Sequence, residues 1–372
     1  DGKIIAMEHE YFVDHGPYSE FGDLLTLRGA QYTGAGYNIP SIRARGQTVC
    51  TNHVWGSAFR AYGSPQSFLA SESLVDELAE KIGMDPLEFR YLNVYRPGDT
   101  TPTGQTPEVF SFPEMLDKLR PLYKKAKEKA KLESTPENKK GVGVTIGLYG
   151  CGLDGVDAAE AAVELTPDGV TVYATWQDHG QGADMGALGT AHQALRPLGL
   201  SPDQIHLQLN DTATAPNAGP SGGSRSQVII GNAIKDACEK LMAGMKKADG
   251  GYHTYEELIA AGLPTKFIGN WTASMNSNCD ENGQGNPFSV YMYGAFMAEV
   301  NVNTKTGKTT VEGMTCMADV GKINNKLVVD GQMYGGVAQG IGLALSEDFE
   351  DIEKALAYFL KHANGEFEAK ES

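Results

Sequence analysis

Two glycine-rich turns constrain this chain more than any other feature: GSAFRAYGSPQ at residues 56–66, and DHGQG at residues 178–182. Each stands where an apolar, strand-like run gives way to helical spacing. Flexible backbone and hydrogen-bonding side chains at such a junction are what a large anionic ligand needs, because amides at a helix start point outward and carry partial positive charge. A third stretch, NAGPSGGSRSQ at residues 217–227, lies just before another long helical pattern. The 45 glycines place such turns throughout the chain rather than at these three points alone, so tight turns or close ligand approach are common in it.

At 372 residues with 41% hydrophobic content, the chain is long enough for two or three domains with a sizeable core. A net charge of −16 argues against nucleic acid, which needs clustered Lys and Arg. The one basic cluster, residues 124–131, reads as the solvated face of a helix. No run of 18 apolar residues and no basic leader occurs, so no membrane span is expected. A cytoplasmic location is the default, with the periplasm as the alternative. The five cysteines, Cys50, Cys151, Cys238, Cys279 and Cys316, form no CxxC pair. Isolated, mostly buried thiols are expected, not a zinc or iron–sulfur site.

The pattern predicts a mixed α/β (α+β) chain. Residues 1–63 read as strands and loops without a long helix, and helices follow at 64–82, from 85–86, and at 112–133 with a break or kink near Pro121. The polar segment 134–140 is the best candidate boundary. Beyond it, strands at 141–148, 158–165 and 170–176 read as a β-meander. Helices are expected at 182–195, 222–247 and 255–261, with a strand at 205–209. A hairpin over 288–302 and 309–318 turns at TKTG, and 329–345 reads as a buried, glycine-rich helix.

Each motif also has a plain structural reading. The SGGSRSQ stretch, residues 221–227, is either an anion pocket or a surface loop with an ordinary helix start. His179 is either a donor to a ligand or an exposed loop residue. Arg60 in FRAYGSPQ is either a ligand contact or the partner of a structural carboxylate. Asp154, Asp157, Asp178 and Asp184 have no metal-binding spacing and read as caps and turn residues. There is no P-loop.

In order along the chain, DHGPYSEFGDLLTLRGA, TNHVWGSAFRAYGSPQ, KKGVGVTIGLYGCGLDG, WQDHGQGADMG, NAGPSGGSRSQVIIGNA and DGQMYGGVAQGIGLALSEDFED resemble the molybdenum-binding portion of the xanthine oxidase family. Within that family the likeness is to the bacterial aldehyde oxidoreductases that use molybdopterin cytosine dinucleotide. It runs from residue 1 to 351. It implies two elongated molybdopterin-binding subdomains: the C-terminal part of the first over 1–134, and an incomplete second over 135–351. Residues 352–372 are left as an unrecognised helical tail.

The resemblance carries Phe59, Arg60 and Ala61 over as cofactor contacts. His179, Gly180, Gln181 and Gly182 would hold phosphate and pterin, and Gly222, Gly223, Ser224, Arg225, Ser226 and Gln227 the dinucleotide. Phe21, Leu24 and Tyr62 would line a hydrophobic substrate funnel. It implies molybdenum held through the pterin rather than by a side chain, and oxidation of an aldehyde with water as the oxygen source. Electrons would leave through iron–sulfur clusters on other segments or a partner subunit, and a homodimer is compatible with it. The family's general base, a Glu in a GVGE segment, has no counterpart in these residues, so no catalytic residue is assigned. A non-catalytic cofactor-binding or scaffold fragment is the alternative.

Overall fold

A computed structural model describes residues 1–34 and 36–347. In chain order the elements are β1 (Ala6–Asp14), α1 (Gly22–Gln31), β2 (Ser41–Val49), α2 (Ser64–Lys81), α3 (Pro86–Asn93), α4 (Phe112–Glu133), β3 (Asn138–Cys151), β4 (Ala158–Thr166), β5 (Gly169–Ala174), α5 (Ala183–Ala194) and β6 (Ile205–Leu209). A π-helical turn, Ser226–Ile230, leads into α6 (Gly231–Met245), followed by α7 (Tyr255–Ala260), β7 (Lys266–Thr272), β8 (Val290–Asn303), β9 (Thr309–Asp319) and α8 (Lys326–Leu345). The architecture is mixed helix and sheet. The tail assigned to residues 352–372 lies outside the described residues.

Two hydrophobic cores form. In the first, α4 turns Phe112, Met115, Leu116, Leu119, Tyr123 and Ala126 inward at helical spacing. They pack with α2, α3 and Tyr37 onto Val144, Ile146, Leu148, Tyr293, Ala295 and Met297 of the sheet β3-β8-β9. This core therefore continues across the polar segment 134–140. In the second, α6 buries Ala233, Ile234, Ala237, Cys238 and Leu241 against the sheet β6-β5-β4-β7. Gly269 of β7 lets α6 lie directly on the sheet: a Cβ there would stand 2.2 Å from the Ala237 nitrogen and 2.3 Å from the Ala233 oxygen.

Five expectations change. α1 is a ten-residue helix within the stretch read as strands and loops. It begins at Phe21 without a side-chain cap and contains two glycines, so packing on β1 and β2 holds it rather than local propensity. The meander fails at β3, which pairs with β8 and not with β4. Its long-range partner buries Val144 and Ile146 on the α4 side. α4 runs unbroken through Pro121, the residues around it being fixed by the core face. The helix expected over 222–247 enters through the π turn and ends at Met245. α8, expected to be buried, has no buried residue.

Of the cysteines, all free, Cys151 and Cys238 are buried, Cys279 and Cys316 half-buried, and Cys50 exposed. Burial raises the buried pair's thiol pKa to about 12. No described helix is long and apolar enough to cross a membrane.

Candidate cofactor site

The unit β5-α5-β6 is a parallel crossover. Its strand ends are where ligands gather in α/β sheets, beyond the carboxyl ends of parallel strands. The DHGQG turn leaves the end of β5 there. β4 runs antiparallel to β5, so its N-terminal approach, 152–157, lies at the same edge, as does the 217–227 loop.

Side chains tie the three turns together. Arg60 Nη2 donates to the Gln332 carbonyl oxygen at 2.9 Å and to Gln332 Oε1 at 3.2 Å, while Gln332 Nε2 donates to the Gln181 carbonyl at 3.2 Å. α8 thus joins the first turn to the second. Gln177 and Ser221 exchange two bonds, Gln177 N to Ser221 Oγ at 2.9 Å and Ser221 N to Gln177 Oε1 at 2.7 Å, which joins the second to the third. Gln227 Nε2 donates to Thr190 of α5 at 2.9 Å, and Asn324 Nδ2 donates to the Gly186 carbonyl at 3.1 Å. The third turn meets α1 through Gly152, whose N–H donates to the Gly223 carbonyl at 2.9 Å and whose carbonyl accepts from Arg28 Nη2 at 2.6 Å, and the Arg28 guanidinium in turn stands beside the Tyr62 ring of the first turn.

Not every carried-over residue faces a ligand. Arg225 is buried and all five of its N–H donors are taken. Nε and Nη2 each give 2.7 Å bonds to the Asp157 carboxylate, and the rest go to the carbonyls of Ala158, Ala218 and Pro220. It shapes the loop and has no donor left for an anion. Asp157 is accordingly a buried ion-pair partner rather than a cap, and Asp154 lies 3.6 Å from buried Arg28. Burial lifts the Asp154 carboxyl above its usual range, against the pull of Arg28.

Asp178 takes up amides expected to face a ligand: Oδ1 accepts from Gly180 N at 2.7 Å and Gly182 N at 3.3 Å, and Oδ2 from Asp184 N at 3.1 Å. Desolvation alone would raise this carboxyl, but the amides of Asp184, Gly180, Gly182 and Ala183 hold it below the carboxylate range. The Gln181 side chain folds back on its own turn, accepting from His179 N and donating to the Gln177 carbonyl.

What remains available fits a ligand with polar and anionic edges. A Cβ built on Gly180 or Gly222 meets nothing within 4 Å, so both backbones border open space. The amides of Ser224, Ser226 and Gln227 find no acceptor among the described residues. A π turn opens this helix, a geometry that recurs at functional sites. Phe59, Arg60 and His179 are exposed. Ala61 and Ser224 hold positive φ of 64° and 59°, unusual for residues with a Cβ. Phe21 and Leu24 share by helical spacing the α1 face of Arg28, whose guanidinium lies 5.7 Å from the Tyr62 ring centroid. Among the described residues, no group of three or more His, Cys, Asp or Glu side chains is placed to hold a metal ion directly.

Residues 1–94 and 118–355 each match the model of a molybdopterin cofactor-binding domain. The chain belongs to the xanthine oxidase family of molybdenum hydroxylases. It is 66% identical over 356 residues to the aldehyde oxidoreductase of Megalodesulfovibrio gigas, covering 95% of this chain and 39% of that protein. The solved aldehyde oxidoreductase from Desulfovibrio gigas superposes with a TM-score of 0.93 at 66% identity, again over 95% of this chain and 39% of its own. Aldehyde oxidase 1 of Bos taurus is 30% identical over 377 residues, 96% of this chain and 28% of that protein. The chain thus spans well under half the length of these relatives.

Gln177, Gln332 and Gln339 were not singled out from the sequence. One signal for two of them exists: Gln332 and Gln339 stand seven apart in a largely apolar helix, which puts both amides on one face.

Proposed function

We propose that this region binds molybdopterin cytosine dinucleotide as part of an aldehyde oxidoreductase that converts aldehydes to carboxylic acids with water as the oxygen source. The observation that carries the reading is the convergence of the FRAYG, HGQG and SGGSRSQ turns through Gln332, through Gln177–Ser221, and through the Gly152 bonds that tie the third turn to α1 beside the first. The 66% identity to an aldehyde oxidoreductase supports the substrate class.

The cofactor, when bound, supplies the two-electron redox chemistry. This chain's residues bind and orient it. Arg60 offers an exposed guanidinium at the first turn. The open backbone at Gly180 and Gly222 and the amides of Ser224, Ser226 and Gln227 receive polar and phosphate edges. Phe21, Leu24 and Tyr62 form an apolar approach that excludes water from an aldehyde. The general base and the iron–sulfur clusters come from segments beyond these residues or from a partner subunit.

The test is elemental molybdenum and released cytosine nucleotide, measured on the full-length protein alongside aldehyde-dependent dye reduction. Stoichiometric molybdenum and nucleotide with turnover is expected. Metal-free protein with no turnover would sink the reading. The alternative reading is a cofactor-binding protein without catalysis of its own. Molybdenum and nucleotide present without aldehyde turnover in the full-length protein would select it.

A further inference from the structure

Arg28 is fully buried on α1, and the mechanism above gives it no part. Its directed bonds go to backbone and rings rather than to a carboxylate. Nη2 donates to the Gly152 carbonyl at 2.6 Å and Nη1 to the Tyr32 hydroxyl at 3.5 Å. The guanidinium carbon stands 4.4 Å from the Phe288 ring centroid and 5.7 Å from that of Tyr62. Asp154 supplies counter-charge at 3.6 Å, but neither of its oxygens has a hydrogen-bond partner among the described residues.

One turn further along, Tyr32 accepts from the Gly150 amide at 2.8 Å. α1 therefore grips the end of β3 at two points, Gly150 and Gly152. α1 also touches the first turn: a Cβ on Gly63 would lie 2.4 Å from the Leu25 carbonyl oxygen and 2.9 Å from Arg28 Cβ. Gly152 in turn donates to Gly223.

We propose that Arg28 is a positioning residue for the cofactor, fixing the separation between the Ala61–Gly63 turn and the Gly222–Gly223 turn so that they act as one rigid wall. This rests on the cofactor-binding reading above. Only a planar, forked cation can bond Gly152 and Tyr32 while presenting a flat face to two rings; a lysine at this position keeps the charge and loses the fork. The buried charge is thereby spent on geometry rather than on neutralising the ligand.

The experiment uses the full-length holoprotein. Molybdenum and cytosine nucleotide retained through dilution and gel filtration are followed over time, and hydrogen exchange is read at the Gly152 amide. Arg28→Lys is compared with Leu119→Ala, a core variant remote from the turns, at temperatures equally far below each melting point. Arg28→Lys is expected to release cofactor roughly tenfold faster than that control, the scale of one hydrogen bond to a charged group, and to exchange faster at Gly152. Equal release rates would overturn the proposal.

Should Arg28→Lys fail to fold, Phe288→Leu, which removes one face of the stack, carries the test. Release about threefold faster than in the same control is expected, and equal release overturns the proposal. If the wild-type protein holds no such cofactor, the proposed function itself falls and this inference with it. If the wild type holds it and the variant holds it as long as its control, only this inference falls.

Discussion

Arg60 and Gln332 are joined by two hydrogen bonds from one guanidinium nitrogen, at 2.9 and 3.2 Å, although 272 residues separate them in the chain. Gln339, two turns along α8, donates to the Arg60 carbonyl at 3.3 Å. The first turn is thus held by a helix from the far end of the described chain, and Gln332 also reaches the second turn.

Replacing Gln332 by Leu removes the Arg60 and Gln181 side-chain links together. Molybdenum content of the full-length protein, read by elemental analysis, is expected to fall by roughly five- to tenfold, the scale of one or two hydrogen bonds involving a charged group. Arg60→Ala is expected to lower it likewise. Unchanged metal content in Arg60→Ala would make this arginine a structural turn residue.

Asp157→Ala leaves the Arg225 guanidinium buried without counter-charge, and a loss of about 3–5 kcal/mol is expected from the midpoint of urea unfolding. The double variant Asp157→Leu, Arg225→Met is expected to remain destabilised, because the carbonyls of Ala158, Ala218 and Pro220 lose their donor. Recovery to wild-type stability would show those three bonds to be dispensable.

Gly63 and Gly83 both hold positive φ, 81° and 66°. A Cβ on Gly83 meets open space, so Gly83→Ala is expected to cost only about 1 kcal/mol of backbone strain. A Cβ on Gly63 runs into the Leu25 carbonyl at 2.4 Å, and that backbone cannot yield without moving α1. Thermal melts of the two alanine variants should differ by several degrees, Gly63→Ala the lower; equal melting temperatures would contradict the close approach of turn and helix.

The Ser111 hydroxyl donates to Asp319 at 2.5 Å and the Gly321 amide donates to the same carboxyl at 3.0 Å; the two bonds, hydroxyl first, hold its pKa below the ordinary value. A depressed acid contributes stability above its unfolded pKa, about 3.9, and loses it as pH falls through the lower folded value. Ser111→Ala should therefore cost up to about 1 kcal/mol at neutral pH, given the pair's partial exposure. The gap to wild type should narrow as pH drops below about 4. A gap that stays constant to pH 2 would exclude the linkage.

The helices α2 and α4 and the β8–β9 hairpin are legible because their signals are local: Pro65 at a helix start, apolar residues at helical spacing, and a glycine turn between two alternating runs. α1 is not, since Gly22 and Gly29 weaken it as a peptide and it is held by contact, Gly29 lying where a Cβ would strike Tyr11. The pairing of β3 with β8, from Cys151 with Val290 to Asn138 with Asn303, joins residues distant in the chain and has no local signature. In the site the three turns are readable. The assignment of Arg225 is not, because its partner Asp157 is fixed only once β4 and the 217–227 loop meet. The Asp178 bonds follow a local rule, a carboxylate capping the amide two residues on, and Asp178 reads as a turn residue from the sequence for that reason.

α8 is largely apolar apart from Lys326, Asp330, Gln332 and Gln339, yet Leu327 is 82% and Tyr334 73% exposed, and none of its residues is buried. Such a strip is adhesive in water. Produced as these 372 residues alone, the polypeptide should clump through that helix, and its solubility should track how much of the strip another surface can lie on. The same helix carries Gln332 and Gln339 to Arg60, so the strip that makes the chain adhesive is also the one that holds its first turn in place.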